Sequence, residues 1–218
     1  MPTVTNPPKQ PRAIRTRQKL MAALESLLRH KEFEMISVQD IAAEAGVAVG
    51  SVYAHFKDKN AFLEALLEDW RKQVETRLQE AEAHDSKAVY IALGSLKAAV
   101  FEVTKAVFEQ ISENGHILRA LQTYTRLHPE VGDEDWQSLV VRSFLPIADL
   151  LDVYSDDITI RDPDLATRML GVFFNTIFIR TALMPQDTLL DAAKLDKDTM
   201  IQQVTDMAYA YLTQPAEA

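Results

Sequence analysis

SVQDIAAEAGVAVGSVYAHFKDKNAFL, from Ser37 to Leu63, is the stretch whose reading decides the fold. Ser37 and Asp40 are spaced as a capping box, a hydroxyl for an orphan backbone N–H and a carboxylate three residues on, so a helix is expected from here to about Ala45. Gly46 then suits the left-handed position that ends a helix. A short helix over Val49–His55 follows, and Asp58 caps a long one carrying Phe62, Leu66, Leu67, Trp70 and Val74 on its apolar side. Ile41, Ala42 and Ala45 can face Val52 and Phe56, and the small alanines let the two short helices cross closely. Two short helices about a glycine-centred turn suggest a helix-turn-helix. Periodicity alone does not separate that motif from any other antiparallel helix pair.

Working outward, Leu20, Leu24, Leu27 and Leu28 line one face of a helix from about Arg12 to His30, with Phe33, Met35 and Ile36 in a connector. Before it, Pro2 to Pro11 holds four prolines and reads as a flexible arm. Downstream the helices lengthen. One is expected from about Ser86 to Glu113, apolar on two sides and therefore central. A shorter one spans Ile117–Leu127, and another starts between Pro129 and Asp135 and reaches Tyr154 with a kink at Pro146. Asp162-Pro163 opens a helix ending near Met184-Pro185, and the last covers about Asp198–Leu212. No strand pattern and no internal repeat is found, so the fold class is all-α.

The 218 residues suffice for one or two domains with a real core. The net charge of −9 is unevenly spread: residues 1–60 carry +3 and residues 61–218 carry −12. Lys9, Arg12, Arg15, Arg17 and Lys19 fall in the first 24 residues, which contain no acid. A basic head on an acidic body is the asymmetry expected where one end meets a polyanion. The absence of cysteine excludes disulfides, thiolate zinc sites and cysteine nucleophiles. No targeting segment is visible, and the longest apolar stretch, Gly171–Ile179, is too short for a span and is interrupted by Asn175 and Thr176. A cytoplasmic protein without membrane contact is expected. His30, His55, His84, His116 and His128 show no metal-ligand spacing, and neither a G-x-S-x-G nor a Walker pattern occurs. The acid clusters Asp133-Glu-Asp135 and Asp156-Asp157 read as helix-start or solvated charges. No catalytic residue, metal or cofactor is expected, and the chain is not read as an enzyme.

Ile41, Ala42, Ala45, Gly46, Val47, Gly50, Ser51, Val52, Tyr53, His55, Phe56 and Lys59 fall in order on the pattern of TetR-family transcriptional regulators. Residues 12–63 thus resemble the N-terminal domain of that family. Two departures stand out. Ala48 occupies a position where Ser or Thr is common, so its helix lacks a side-chain cap, at a cost of about 1 kcal/mol. The turn after the first helix reads His30-Lys-Glu-Phe33, without the frequent glycine.

The resemblance implies an arm over residues 1–11, a DNA-binding domain over 12–60 and a helical ligand-binding and dimerisation domain over 61–218. Tyr53, His55 and Lys59 match positions that touch phosphates, while Val49, Gly50 and Ser51 begin the helix that enters the major groove. With Arg15, Arg17, Ser37 and Ala48 they complete the expected DNA-binding set. In the larger domain, Phe101, Phe108, Tyr124, Phe144, Asn175 and Phe178 are the candidate ligand contacts. Leu165, Met169, Phe173 and Ile177 make one apolar stripe, and Met200, Val204, Met207 and Tyr211 lie on a second. Either stripe can close the protomer's own core, but the resemblance implies a dimer interface on the last two helices. The expected function is a homodimeric regulator of double-stranded operator DNA, most simply a repressor released by a small, mostly apolar effector. The alternative is a helical small-molecule sensor or carrier that does not bind DNA.

Overall fold

The computed structural model describes residues 11–84, 86–128, 134–184 and 188–214, and they are helical with no strand among them. The expected N-terminal arm lies outside these residues apart from Pro11, as do Pro129, Asp133 and Pro185. Helix α1 spans Pro11–Leu28, and a short 3₁₀ turn over Phe33–Met35 leads to α2, Val38–Glu44. Then come α3, Val49–Tyr53, and α4, Asn60–Ala83.

The capping box at α2 is complete. Ser37 Oγ accepts from the Asp40 N–H at 3.1 Å, and the Asp40 carboxylate accepts from the Ser37 N–H at 2.8 Å. The Ser37 hydroxyl, which donates to the same carboxylate at 2.7 Å, and then the Ser37 N–H hold the Asp40 carboxyl below its ordinary range. Gly46 takes φ +66°, with its N–H on Ala43 O and that of Val47 on Ala42 O, so α2 closes in a Schellman turn. Asp58 Oδ1 accepts from the Ala61 N–H at 3.0 Å and supplies the cap of α4. The glycine-free turn after α1 is tied down instead by Phe33, which is buried in the first core.

The helix expected over Ser86–Glu113 is two helices, α5, Ser86–Leu93, and α6, Leu96–Glu113. Gly94 adopts φ +73° and Ser95 Oγ caps α6 at the Ala98 N–H, 3.3 Å, so the chain ends one helix and starts another. Helix α7 spans Gly115–Leu127. The helix expected to kink at Pro146 is also two, α8, Glu134–Arg142, and α9, Leu145–Val153, with Pro146 in the first turn of the second, where its missing N–H has no consequence. Helix α10, Pro163–Leu183, opens as expected on the Asp162 cap. A short α11, Thr188–Ala193, had no counterpart in the sequence reading, and α12 spans Lys197–Thr213.

Two cores result. In the first, Leu20 and Leu24 of α1, Ile41 of α2, Val52 of α3 and Phe62, Leu66 and Trp70 of α4 pack together. Phe56 stacks on Phe62 with ring centroids 3.8 Å apart. Ile117, Ala120, Leu121 and Tyr124 of α7 belong to this core too. The second core is built around α6, which packs against α5, α9, α10 and α12. Leu118 touches both cores.

Candidate functional site

The turn between α2 and α3 sets the face that the sequence points to. Ala48 is the N-cap of α3 in an extended conformation with no side-chain cap bond. Gly50 is exposed with nothing within 4 Å of the place a Cβ would occupy, so the helix start is open to close approach. Ala48, Ser51 and His55 line a polar groove of about 460 Å³ together with Ala13 and Thr16 of α1. The two α1 residues were not singled out from the sequence; they lie about one turn apart on α1 and border the groove, a register fixed by the packing of α1 on α2 and of α2 on α3. Tyr53 is exposed at the end of α3, and Val49 is half-buried against the first core.

The cationic residues differ from one another. Arg15 is exposed. Arg17 is half-buried, its guanidinium 5.5 Å from the centre of the Phe56 ring. Lys59 Nζ donates to the Glu34 carbonyl at 3.1 Å and lies 4.4 Å over the Phe33 ring, and its partial burial lowers its pKa from the ordinary lysine value. Ser37 spends its hydroxyl on Asp40 in the capping box. Among the expected DNA-contacting residues, then, Ala48, Gly50, Ser51, Tyr53, His55 and Arg15 form the accessible face, while Ser37, Arg17 and Lys59 also hold the domain together.

In the larger domain a cavity of about 400 Å³ lies between α5, α6, α9 and α10. Its walls are mainly apolar, from Tyr90 and Leu93 of α5, Val103 and Val107 of α6, Ile147 of α9 and Phe174 of α10. Of the six residues expected at a ligand site, Phe144 and Asn175 line it. Phe101, Phe108, Tyr124 and Phe178 are placed elsewhere. Phe108 and Phe178 meet edge to face at 5.2 Å inside the second core, and Tyr124 stacks on His128 in the first. Phe101 packs half-buried against the second core. Periodicity marks large apolar residues as buried but does not say which of them border a void.

Phe144 presses on Gly171. A Cβ there would come within 2.5 Å of the ring, so this wall exists only because α10 has no side chain at that point. Asn175 Nδ2 donates to the Gly171 carbonyl at 2.9 Å, one turn back. Tyr154 donates its hydroxyl to the Tyr90 carbonyl at 2.7 Å, which ties α9 to α5. Burial, helped by nearby Asp149, pushes the Tyr90 phenol up to about 12, so it stays protonated and a donor at neutral pH.

The α10 wall continues to the first domain. At its C-terminal end the Ala182 carbonyl accepts from Arg119 Nη1 of α7 at 2.7 Å, and Gly115 of α7 lies against the Ala182 Cβ. The same guanidinium is 3.4 Å from Glu32, in the turn after α1.

The apolar stripes of the last two long helices divide differently from expectation. On α10, Leu165 and Met169 are exposed, with Val172 beside them, and Phe173 and Ile177 are half-buried. On α12, Met207 is exposed and Tyr211 half-buried, but Met200 and Val204 are buried in the second core. Met200 and Val204 are thus corrected from surface to core: the face of α12 that packs on α6 runs through Met200, Ile201, Val204, Thr205, Ala208 and Leu212. A shallow apolar hollow of about 200 Å³ opens on the outer face between Met169, Phe173, Met207 and Tyr211.

Residues 20–66 match the sequence profile of the bacterial regulatory proteins of the tetR family. No curated protein is significantly similar in sequence over the chain. The fold is similar to that of a Mesorhizobium loti protein assigned to the TetR-family transcriptional regulators, at 17% identity and a TM-score of 0.61, covering 93% of this chain and 97% of that one. It is similar also to NalD, the secondary repressor of the MexAB-OprM multidrug efflux pump in Pseudomonas aeruginosa, at 22% identity and a TM-score of 0.53, covering 92% and 98%. PfmR, a TetR-family regulator from Thermus thermophilus, gives 18% and 0.56 over 91% and 99%. No helix among the described residues is long and apolar enough to cross a membrane. Residues 20–66 thus match the profile of the tetR-family bacterial regulatory proteins, and the described residues share the overall fold of the solved regulators named above.

Proposed function

We propose that this chain is a cytoplasmic, ligand-responsive repressor: a homodimer holds an operator through its two helix-turn-helix domains and releases it when a small, mostly apolar effector enters the cavity behind Phe144. The observation that carries this reading is the continuity of α10, which forms a wall of the cavity at Gly171 and Asn175 and ends on Arg119 and Gly115 of α7. Since α7 is packed into the first core, a ligand that favours one placement of α10 biases the placement of the DNA-binding domain. The repressor sign is supported by NalD, a repressor of similar fold. On the DNA side Val49, Gly50 and Ser51 meet base edges, and Arg15, Tyr53, His55 and Lys59 meet phosphates. The DNA-binding domain runs from residue 12 to about 60, with the rest of the chain holding the effector and the partner protomer.

The test is a gel shift on the protein's own upstream DNA, with release by a panel of apolar compounds, repeated on Gly171→Ala. The added methyl forces the Phe144 ring away from α10 and toward the cavity. The variant is expected to hold operator as the wild type does and to need at least about tenfold more effector for release. Unchanged release in Gly171→Ala would take the cavity out of the mechanism. Failure of the wild type to shift any upstream fragment would favour the sensor or carrier that does not bind DNA.

A further inference from the structure

Among the described side chains that line the cavity, Glu102 of α6 is the one with a formal charge. It is exposed at the mouth and, among the described residues, has neither a hydrogen bond nor an ion pair. Among the described residues, no lysine, arginine or histidine lines the same space. The other polar lining groups, Gln110, Asn175 and Ser143, are neutral, and the aromatic rings of Tyr90, Phe144 and Phe174 contribute to the walls. From these observations we infer that the effector is a lipophilic cation, its apolar body in the cavity and its positive charge beside the Glu102 carboxylate.

The inference rests on the reading of this cavity as the effector site. A cation fits on three physical grounds. A carboxylate at the edge of a low-dielectric space attracts positive charge more strongly than one in bulk water does. Aromatic faces are attractive to a cation and indifferent or repulsive to an anion. Residues 61–218 carry −12, so the field over the whole domain favours entry of a cation and opposes an anion of the same shape. Delocalised charge is preferred over a compact ammonium, because a mainly apolar wall offers too few acceptors to replace a tight hydration shell.

Three probes separate charge from size: tetraphenylphosphonium and the tetraphenylborate anion share one shape with opposite charge, and neutral triphenylphosphine oxide is smaller by one phenyl ring. Binding to the full-length protein is measured by calorimetry, and operator release by gel shift. The wild type is expected to bind the phosphonium at least about tenfold more tightly than the neutral compound and the borate more weakly than either. Glu102→Gln, an exposed and isosteric change, is expected to lose about tenfold for the phosphonium, to leave the neutral compound unaltered and to keep operator affinity. Equal binding of all three probes, or a phosphonium preference that survives in Glu102→Gln, would overturn the cation assignment while leaving the cavity as a ligand site. Binding of none of them, together with no release by any apolar compound, would overturn both it and the effector site. Gly171→Ala weakening all three probes alike is the signature that they occupy this cavity.

Discussion

Lys59 shows how much one side chain of the DNA-binding domain is asked to do. Its ammonium donates to the Glu34 carbonyl and covers the Phe33 ring, so it pins the turn after α1 to the start of α4. It is also proposed to meet a phosphate. The two roles separate by substitution. Lys59→Met keeps the apolar stem over Phe33 and removes the charge, whereas Lys59→Ala removes both. Lys59→Met is expected to stay within about 0.5 kcal/mol of wild-type stability, to weaken binding to all DNA sequences alike and to lower the salt slope by about one per protomer, whereas Lys59→Ala loses about 1 kcal/mol of stability in addition. Denaturant unfolding and a salt titration of operator binding check this. A Lys59→Met variant with an unchanged salt slope would confine the residue to the structural role. The proposed phosphate role comes from the sequence motif alone; the bond to Glu34 was not legible there, because the two residues are 25 positions apart and no local pattern links them.

At the scale of the element, α7 is the joint. One face lies in the first core, and its N-terminal turn lies against α10 and α1. His116, buried there, has its Nε2 3.4 Å from a Glu25 oxygen of α1. Burial is the main influence and lowers its pKa below the ordinary histidine value; Arg29 and Arg119 act the same way, and Glu25 opposes them. The sign follows from linkage. A histidine depressed in the folded state is neutral and without penalty above its unfolded pKa near 6.5, and the stability it contributes is lost as pH falls from there through the folded value. From about pH 7.5 to about pH 5 the wild type is therefore expected to lose more stability than His116→Gln, which does not titrate. Urea unfolding of the two proteins at both pH values reads this directly, and parallel losses would sink it. The elements themselves were legible where a local signal ends them: Ser37 with Asp40, Gly46, and Asp162 before Pro163 each stop or start a helix where expected. The break at Gly94-Ser95 carries a local signal as well, a left-handed glycine followed by a side-chain cap, but the apolar repeat that runs on across it masked that signal. The break at Ser143-Phe144 is set by the packing of Phe144 on Gly171, which is not local. The cavity was unreadable for the same reason, since a void is a property of four helices together.

At the scale of the whole molecule, the charge pattern and the outer faces of α10 and α12 define how two copies would meet DNA. In the proposed complex the basic N-terminal part of the sequence would face the polyanion and the acidic remainder would be kept away from it. On the outer faces of α10 and α12, Leu165, Met169, Val172 and Met207 are each more than two-fifths exposed, and a shallow apolar hollow lies between the two helices. An apolar face of this kind is more than scattered single residues and calls for a partner, and an isologous dimer places the same face on both sides. The choice of substitution decides whether this can be tested. Charging Val204 would bury a carboxylate in the second core and unfold the protein, so its failure to dimerise would say nothing about the interface. Met169→Asp combined with Met207→Asp puts both charges on the exposed face instead. This double variant is expected to keep wild-type helicity by circular dichroism and to run as a monomer by light scattering. Its operator binding should be at least about a hundredfold weaker, because the second half-site contact is no longer intramolecular. A wild type that is monomeric at micromolar concentration would overturn the dimer. A folded double variant that remains dimeric would move the interface away from α10 and α12, and with it the means by which the two recognition helices are spaced.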